Sequence, residues 1–521
     1  MPDGGDQSEV VRFLSQPRNH PGDAGTVQTI TTHASIIFLA GDRALKLKRA
    51  VKYSYLDYST AQLRREACEA EVTLNRRTAP DLYLAATPIL RGPDGTLSLG
   101  GPGVPVDWVV VMRRFPQDAL FSHLAEHGAL TPKLALELAD RIAAFHEIAA
   151  IEPKHGGVHG TAAVIQINDE NLRRSPPLDV SVGEIDRLRD MSRAALEEHS
   201  ALLEERRLSG RVRRCHGDLH LGNICLIDDK PTLFDCIEFS DLIACTDVLY
   251  DIAFLLMDLR HRGLVREGGL VFNRYLDLTG DDSGLPALPL FMSLRASVRA
   301  HVTATAAANI KSPAEQQQKL AEARSYFDLA VGFLQPQPPR LVAIGGLSGS
   351  GKSSIAAALA GGIGVGAGAR VLRSDVLRKR LFGKAPEERL TEEAYTKSVN
   401  EQVYAALESR AAQLLAAGYS VIIDAVAAKP EERIAMADLA RRAGAQFDGI
   451  WLHAPEDVLL ARLTQRGKDA SDATQAVLRR QLTYDLGQVD WVRIDVDRPQ
   501  EQVLESVRRA LQVDEIRVDR V

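Results

Sequence analysis

Residues His216 to Asn223 read H-G-D-L-H-L-G-N. An Asp followed five residues later by an Asn, here Asp218 and Asn223, has the spacing at which phosphoryl-transfer loops place a base and a metal ligand. Just downstream, residues 224–228 and 232–235 are short apolar runs around Asp228-Asp229-Lys230-Pro231, a pattern that predicts a hairpin. Such a hairpin brings Asn223 and Asp235 to one end, where two oxygen ligands can share a Mg2+ bridging ATP phosphates. Upstream, strands are predicted over 27–32, 35–40 and 43–48, a helix over 60–77, and strands over 82–90 and 108–112. Together they form a small α/β lobe. From Thr131 the pattern turns helical: Thr131 suits an N-cap, Pro132 the first helical position, and Leu134, Leu136, Leu138, Ile142 and Phe145 an apolar stripe.

A second signature, G-L-S-G-S-G-K-S, runs from Gly346 to Ser353. Its glycines, Gly346, Gly349 and Gly351, let backbone N–H groups close on phosphate oxygens, with Ser348, Ser350 and Ser354 beside them. Lys352 would reach the β/γ-phosphates and the Ser353 hydroxyl would hold Mg2+. A strand over 341–345 precedes this loop and a helix over 353–360 follows, so the dipole of the helix adds to the amide cradle. Later strands are predicted over 371–373, 420–424, 448–452 and 492–496, with helices between them, which implies a parallel sheet covered on both faces. Asp424, closing S-V-I-I-D, takes the place of a carboxylate acting on Mg2+ through water or Ser353.

The first signature, with its hairpin and upstream lobe, resembles the aminoglycoside phosphotransferase family, whose fold is similar to that of the protein kinases. That resemblance implies that Asp218 takes the acceptor hydroxyl's proton and that Asn223 and Asp235 are metal ligands. It also implies that Lys46, in A-L-K-L-K, pairs with the α/β-phosphates and is held by a helix glutamate. Glu69 is the choice made here, because Val72 and Leu74 follow it as the inward face; Glu66 and Glu71, and Lys48 in place of Lys46, remain open. Asp251 is implied as a buried anchor of the catalytic loop, and His216 as a holder of its backbone. The chain departs from protein kinases in lacking a G-x-G-x-x-G loop, the turn at His33 to Ser35 lying in its place, and in having Asp-Cys-Ile-Glu at 235–238.

The second half resembles the P-loop small-molecule and polynucleotide kinases, including gluconate kinase-like and zeta-toxin-like enzymes. In that group the Asp of a segment such as R-S-D-V-L-R activates the acceptor hydroxyl, which implies that role for Asp375, with Arg378 near it. Arg462 and Arg466, four apart, would be lid arginines that stabilise charge on the transferred group.

At 521 residues the chain exceeds one core. The expected organisation is a kinase-like small lobe over 1–112, a helical large lobe over 113–334 and a P-loop domain over 340–521, the Pro-rich 335–339 separating two complete cores. The fold class is thus a bilobal kinase-like α+β domain followed by an α/β parallel-sheet domain. A net charge of -6 gives no basic footprint for nucleic acid. No apolar run reaches the roughly 18 residues that would span a bilayer, the N-terminus is acidic, and the five cysteines form no C-x-x-C pair. A cytoplasmic protein with no obligate protein partner is expected. The function expected is ATP- and Mg2+-dependent phosphoryl transfer to a small-molecule hydroxyl at two sites; the alternative is a nucleotide-sensing regulator with one silent module.

Overall fold

A computed structural model describes residues 6–20, 25–53, 56–175, 178–464 and 471–513. These fall into two compact units. The first comprises 1–130, 144–160 and 204–255, and the second 131–143, 161–203 and 256–521. The Pro-rich segment 335–339 therefore lies inside the second unit, joining the helix Pro313–Phe333 to the strand Arg340–Gly345.

The first unit is built on a six-stranded antiparallel sheet whose spatial order is Gln28–Thr31, Ser35–Ala40, Arg43–Lys48, Val104–Arg113, Tyr83–Arg91, Leu97–Leu99. The alternation of A-L-K-L-K puts Leu45 and Leu47 on one face, buried with Phe38, Ile89 and Val109 under the helix Ser8–Leu14. That N-terminal helix and the strand Leu97–Leu99 carry no strong periodic signal and were not expected. The opposite face is covered by the helix Ala61–Asn75, whose Thr60 hydroxyl accepts from the Leu63 N–H at 3.2 Å as an N-cap. The predicted hairpin is present as Ile224–Ile227 and Lys230–Leu233.

In the second unit five strands form an all-parallel sheet ordered Arg370–Arg373, Val421–Asp424, Arg340–Gly345, Gln446–His453, Val492–Asp495. Its inner strands Arg340–Gly345 and Val421–Asp424 read as nearly continuous apolar runs because helices cover both faces, and Val342, Ile344, Ile422 and Ile450 pack at its centre. The helix Pro132–Ile148 starts where expected, with the Thr131 hydroxyl accepting from Leu134 N–H at 3.3 Å. Its buried stripe differs in one place: Leu136 is exposed, and Ala135 and Ala139 lie inside with Leu138 and Ile142.

Candidate functional site

The first site is assembled by the turn before the hairpin. The Asp251 carboxylate, fully buried, accepts from the backbone N–H groups of His216 at 3.1 Å and Gly217 at 2.8 Å, and His146 Nε2 lies 3.1 Å from it. This matches the anchoring role that the resemblance implied. Gly217 takes φ +83°, and a Cβ there would sit 3.0 Å from Ile237 Cγ1, so the turn requires glycine. Burial lowers the pKa of His216, against the pull of Asp251, so the ring stays neutral, and its Nε2 lies 2.9 Å from the Phe234 carbonyl.

With the loop fixed, Asn223 Nδ2 donates to the Asp218 carbonyl at 2.9 Å and to Asp218 Oδ2 at 2.8 Å. Both amide hydrogens of Asn223 thus face Asp218, which leaves its Oδ1 as the atom for a cation, the donor type that Mg2+ selects. The hairpin register pairs Ile224 with Leu233, and Phe234 N–H donates to the Asn223 carbonyl, so Asp235 emerges at the same end. Asp235 has φ +62° and is held there by Tyr83, whose hydroxyl accepts its N–H at 3.0 Å, and by Asn75 Oδ1, which accepts from Cys236 N–H at 2.9 Å.

Lys46 Nζ bridges Asp235 at 2.5 Å and Glu71 at 2.9 Å. The glutamate is therefore Glu71. Glu69 is exposed on the helix and pairs with Arg65, and Glu66 accepts from Gln62. The reason is helical phase: two residues rotate the side chain by about 200°, so Glu69 faces away when Glu71, Cys68, Arg64 and Asn75 face inward. Lys48, two residues along the same strand face, is buried with Glu71 Oε2, the Tyr58 hydroxyl and Glu238. Both lysines are thus engaged. Burial alone would depress the pKa of each, but Asp235 and Glu71 at Lys46, and Glu238 and Glu71 at Lys48, outweigh it and hold both well above the ordinary value. Against its own burial, Glu71 is lowered to about 2 by the two lysines. Sequence reasoning missed the Lys48–Tyr58–Glu238 cluster; Glu238, three residues after Asp235, was the available signal.

The second site lies at the carboxyl end of the parallel sheet, lining a cleft of about 1530 Å³. Gly346 at φ +140° and Gly349 at φ +87° could not carry a Cβ, which would meet the carbonyl oxygens of Leu452 at 2.4 Å and Leu459 at 2.7 Å. Gly351, at φ +85°, precedes the helix Lys352–Ala360. The Ser353 hydroxyl donates to Asp424 Oδ2 at 2.6 Å, and Arg373 lies 3.5 Å from the same oxygen. Ser350 Oγ is buried with no hydrogen-bond partner among the described residues. An unmatched buried hydroxyl, obligatory glycines and a Ser–Asp pair fit a phosphate with its Mg2+. Gln481 joins the loop by accepting from Ser348 N–H at 2.8 Å.

Across the cleft, Asp375 is half-buried in the first turn of the helix Ser374–Leu381. Burial raises its pKa, opposed by a hydrogen bond from Ser471. Arg378 is held by the Ala394 carbonyl and Asn400 Oδ1, each at 2.7 Å. Ser354 and Arg462 also line the cleft, and Arg462 donates to the Val496 carbonyl at 2.5 Å. Arg466 lies outside the described residues. No helix among the described residues is long and apolar enough to cross a membrane.

Comparison with known proteins agrees with this division. The profile described as "Phosphotransferase enzyme family" matches residues 60–288, and one described as "AAA domain" matches 341–484. Uncharacterised proteins of Mycobacterium tuberculosis (strain H37Rv) and Mycobacterium bovis are 31% identical over 496 residues, covering 93% of this chain and 95% of each of theirs. Among solved structures, a gluconokinase from Sinorhizobium meliloti is 26% identical over 34% of this chain and 94% of its own, with a TM-score of 0.26. A choline kinase from Cryptosporidium parvum is 11% identical over 63% of this chain and 95% of its own, with a TM-score of 0.41. Fold and site together define an aminoglycoside phosphotransferase-like domain fused to a P-loop kinase-like domain. The chain belongs to the same family as these mycobacterial proteins.

Proposed function

We propose that the protein is an ATP- and Mg2+-dependent phosphotransferase acting on a small-molecule hydroxyl, with one active site in each module. The observation that carries this reading is the Asn223 amide donating to Asp218 Oδ2 at 2.8 Å at the end of the hairpin from which Asp235 emerges, which supports a carboxylate base with two further oxygens for a metal. Asp218 accepts the hydroxyl's proton as the hydroxyl oxygen bonds to the γ-phosphorus of ATP, the bond from that phosphorus to the β–γ bridging oxygen breaks and ADP leaves, and Asn223 fixes the carboxylate's direction. Asn223 Oδ1 and Asp235 would hold Mg2+, which when bound neutralises charge on the transferred phosphoryl group. Lys46, oriented by Glu71, donates to phosphate oxygens. In the second module Lys352 and the loop N–H groups grip the phosphates, Ser353 and Asp424 would hold the metal, and Asp375 takes the proton. Positive residues on this cleft, Arg378 and Arg462 among them, are placed to meet developing negative charge.

The test is acceptor-stimulated ADP release over a panel of sugars, sugar acids, aminoglycosides and nucleosides, using the full chain, Asp218→Asn and Lys352→Ala. Asp218→Asn should lower turnover of one acceptor set by ~10²-fold or more, the usual size of a general-base contribution, and Lys352→Ala should silence the other set. Near-normal turnover by both variants sinks the reading. A panel in which only one variant has any effect makes the other module a nucleotide sensor.

A further inference from the structure

Among the described residues the strand Arg370–Arg373 is the edge of the parallel sheet, with Val421–Asp424 as its one strand neighbour. On its other side lies the helix Val265–Thr279, within the stretch matched by the phosphotransferase family rather than the P-loop match. Asn273 of that helix acts as a substitute strand. Its Oδ1 accepts from Val371 N–H at 2.8 Å and its Nδ2 donates to the Ala369 carbonyl at 3.1 Å, the donor–acceptor pair that an edge leaves open.

Arg370, between them, is buried, with Asp277 at 2.8 Å, Asp282 at 2.7 Å and Asn273 Oδ1 at 3.2 Å. Asp282 also receives Arg410 at 3.3 Å. Further along, Arg380 donates to the carbonyls of Leu276 and Asp277 at 3.2 and 3.0 Å, a cation on the last turn of the same helix. The backbones touch as well: a Cβ on Gly361 would sit 1.9 Å from the Val265 oxygen, and one on Gly269 2.7 Å from Gly361 N. The segment from Ala369 to Arg380 is therefore fastened at both ends to one helix and the turn after it. Asp375 and Arg378 lie between the fastenings.

We propose that Asn273 and Asp282 are positioning residues of the P-loop site, setting the strand and helix that aim Asp375 and Arg378 into the cleft. This rests on the reading of Asp375 as the proton acceptor there. It makes a helix outside the P-loop match a working part of the acceptor side, whereas the phosphate loop follows a central strand, Arg340–Gly345, and meets the helix only through the far end of Lys352–Ala360, at Gly361.

Full-length Asn273→Leu, Asp282→Asn and Asp282→Glu test this by hydrogen–deuterium exchange, MgADP titration and Lys352-dependent ADP release with water as acceptor. In Asn273→Leu and Asp282→Asn, exchange over 370–381 should rise at least tenfold while 341–360 stays protected. Their MgADP Kd and KM for ATP should stay within twofold, kcat should fall at least tenfold, and Asp282→Glu should recover most of it. Native protection at 370–381, uniform loss of protection from 341 to 424, or loosened 370–381 with unchanged kcat would each overturn the proposal. If Lys352→Ala leaves ADP release untouched, the catalytic reading of this site fails, and the exchange pattern alone then decides whether Asn273 and Asp282 hold the segment.

Discussion

Glu71 shows how a single carboxylate can set the acid limit of a fold. Its folded pKa of about 2 lies below the ordinary 4.5, so its ion pairs contribute stability fully above pH 4.5 and lose it as pH falls toward 2. Glu71→Gln should therefore be strongly destabilising at pH 7, by up to about 3–5 kcal/mol because two buried lysines lose a counter-charge. The difference from the native chain should shrink below pH 4.5 in chemical denaturation; a gap that stays constant down to pH 3 contradicts the ion-pair account. Asp375 has the opposite sign. Burial raises its pKa, so on acidification it should lose the ionised form needed for proton transfer at a pH above the usual carboxylate range of about 4. Lys352-dependent turnover should show an acidic limb above that range, and Asp375→Asn should abolish turnover without lowering the melting temperature. The pairing of Asn223 with Asp218 was legible because a fixed-spacing motif holds both, and the place of Asp235 because a hairpin follows that motif. Glu71 was not, since the choice among three glutamates depends on helical phase, and the residues that fix the phase, Arg64 and Asn75, are polar and look like surface.

At the scale of elements, the helix Ala61–Asn75 ties three parts of the first site together along one face. Arg64 pairs with Asp107 of the sheet at 2.7 Å, Glu71 takes both lysines, and Asn75 holds the backbone after Asp235. Asn75→Leu leaves the Cys236 N–H buried without an acceptor, a loss of about 1–3 kcal/mol. Because that N–H adjoins Asp235, the proposed metal ligand, the Mg2+ concentration for half-maximal Asp218-dependent turnover should rise about tenfold; an unchanged Mg2+ titration would show that Asp235 is held by Tyr83 and Lys46 alone. Apart from Leu97–Leu99, the strands of both sheets were readable from the sequence, because alternation and apolar runs reflect one-sided and two-sided burial. The helix Ser8–Leu14 was not, since its contribution is two buried residues, Val10 and Leu14, too few to make a period.

Over the whole molecule, the sequence placed a border at the prolines, where no helix can continue, and the prolines do end the helix Pro313–Phe333. Backbone punctuation, however, says nothing of side chains that reach across it. Residues 338–521 alone would expose Arg370 without Asp277 and Asp282, and Val371 N–H without Asn273. That fragment should melt well below the same segment in the full chain, or fail to express in soluble form, whereas MgADP should still stabilise whatever fraction folds. A fragment as stable as the intact protein would show that the buried arginine and the edge strand find new partners on their own.

The substitute strand that Asn273 provides has a meaning for how such a gene can be rearranged. A recombination breakpoint at the proline codons would look clean, yet the transplanted kinase would arrive with its nucleotide grip whole and its acceptor wall unbraced. Any chimera built from this protein has to carry the stretch from Val265 to Asp282 along with the phosphate loop, as a splint travels with the limb it sets.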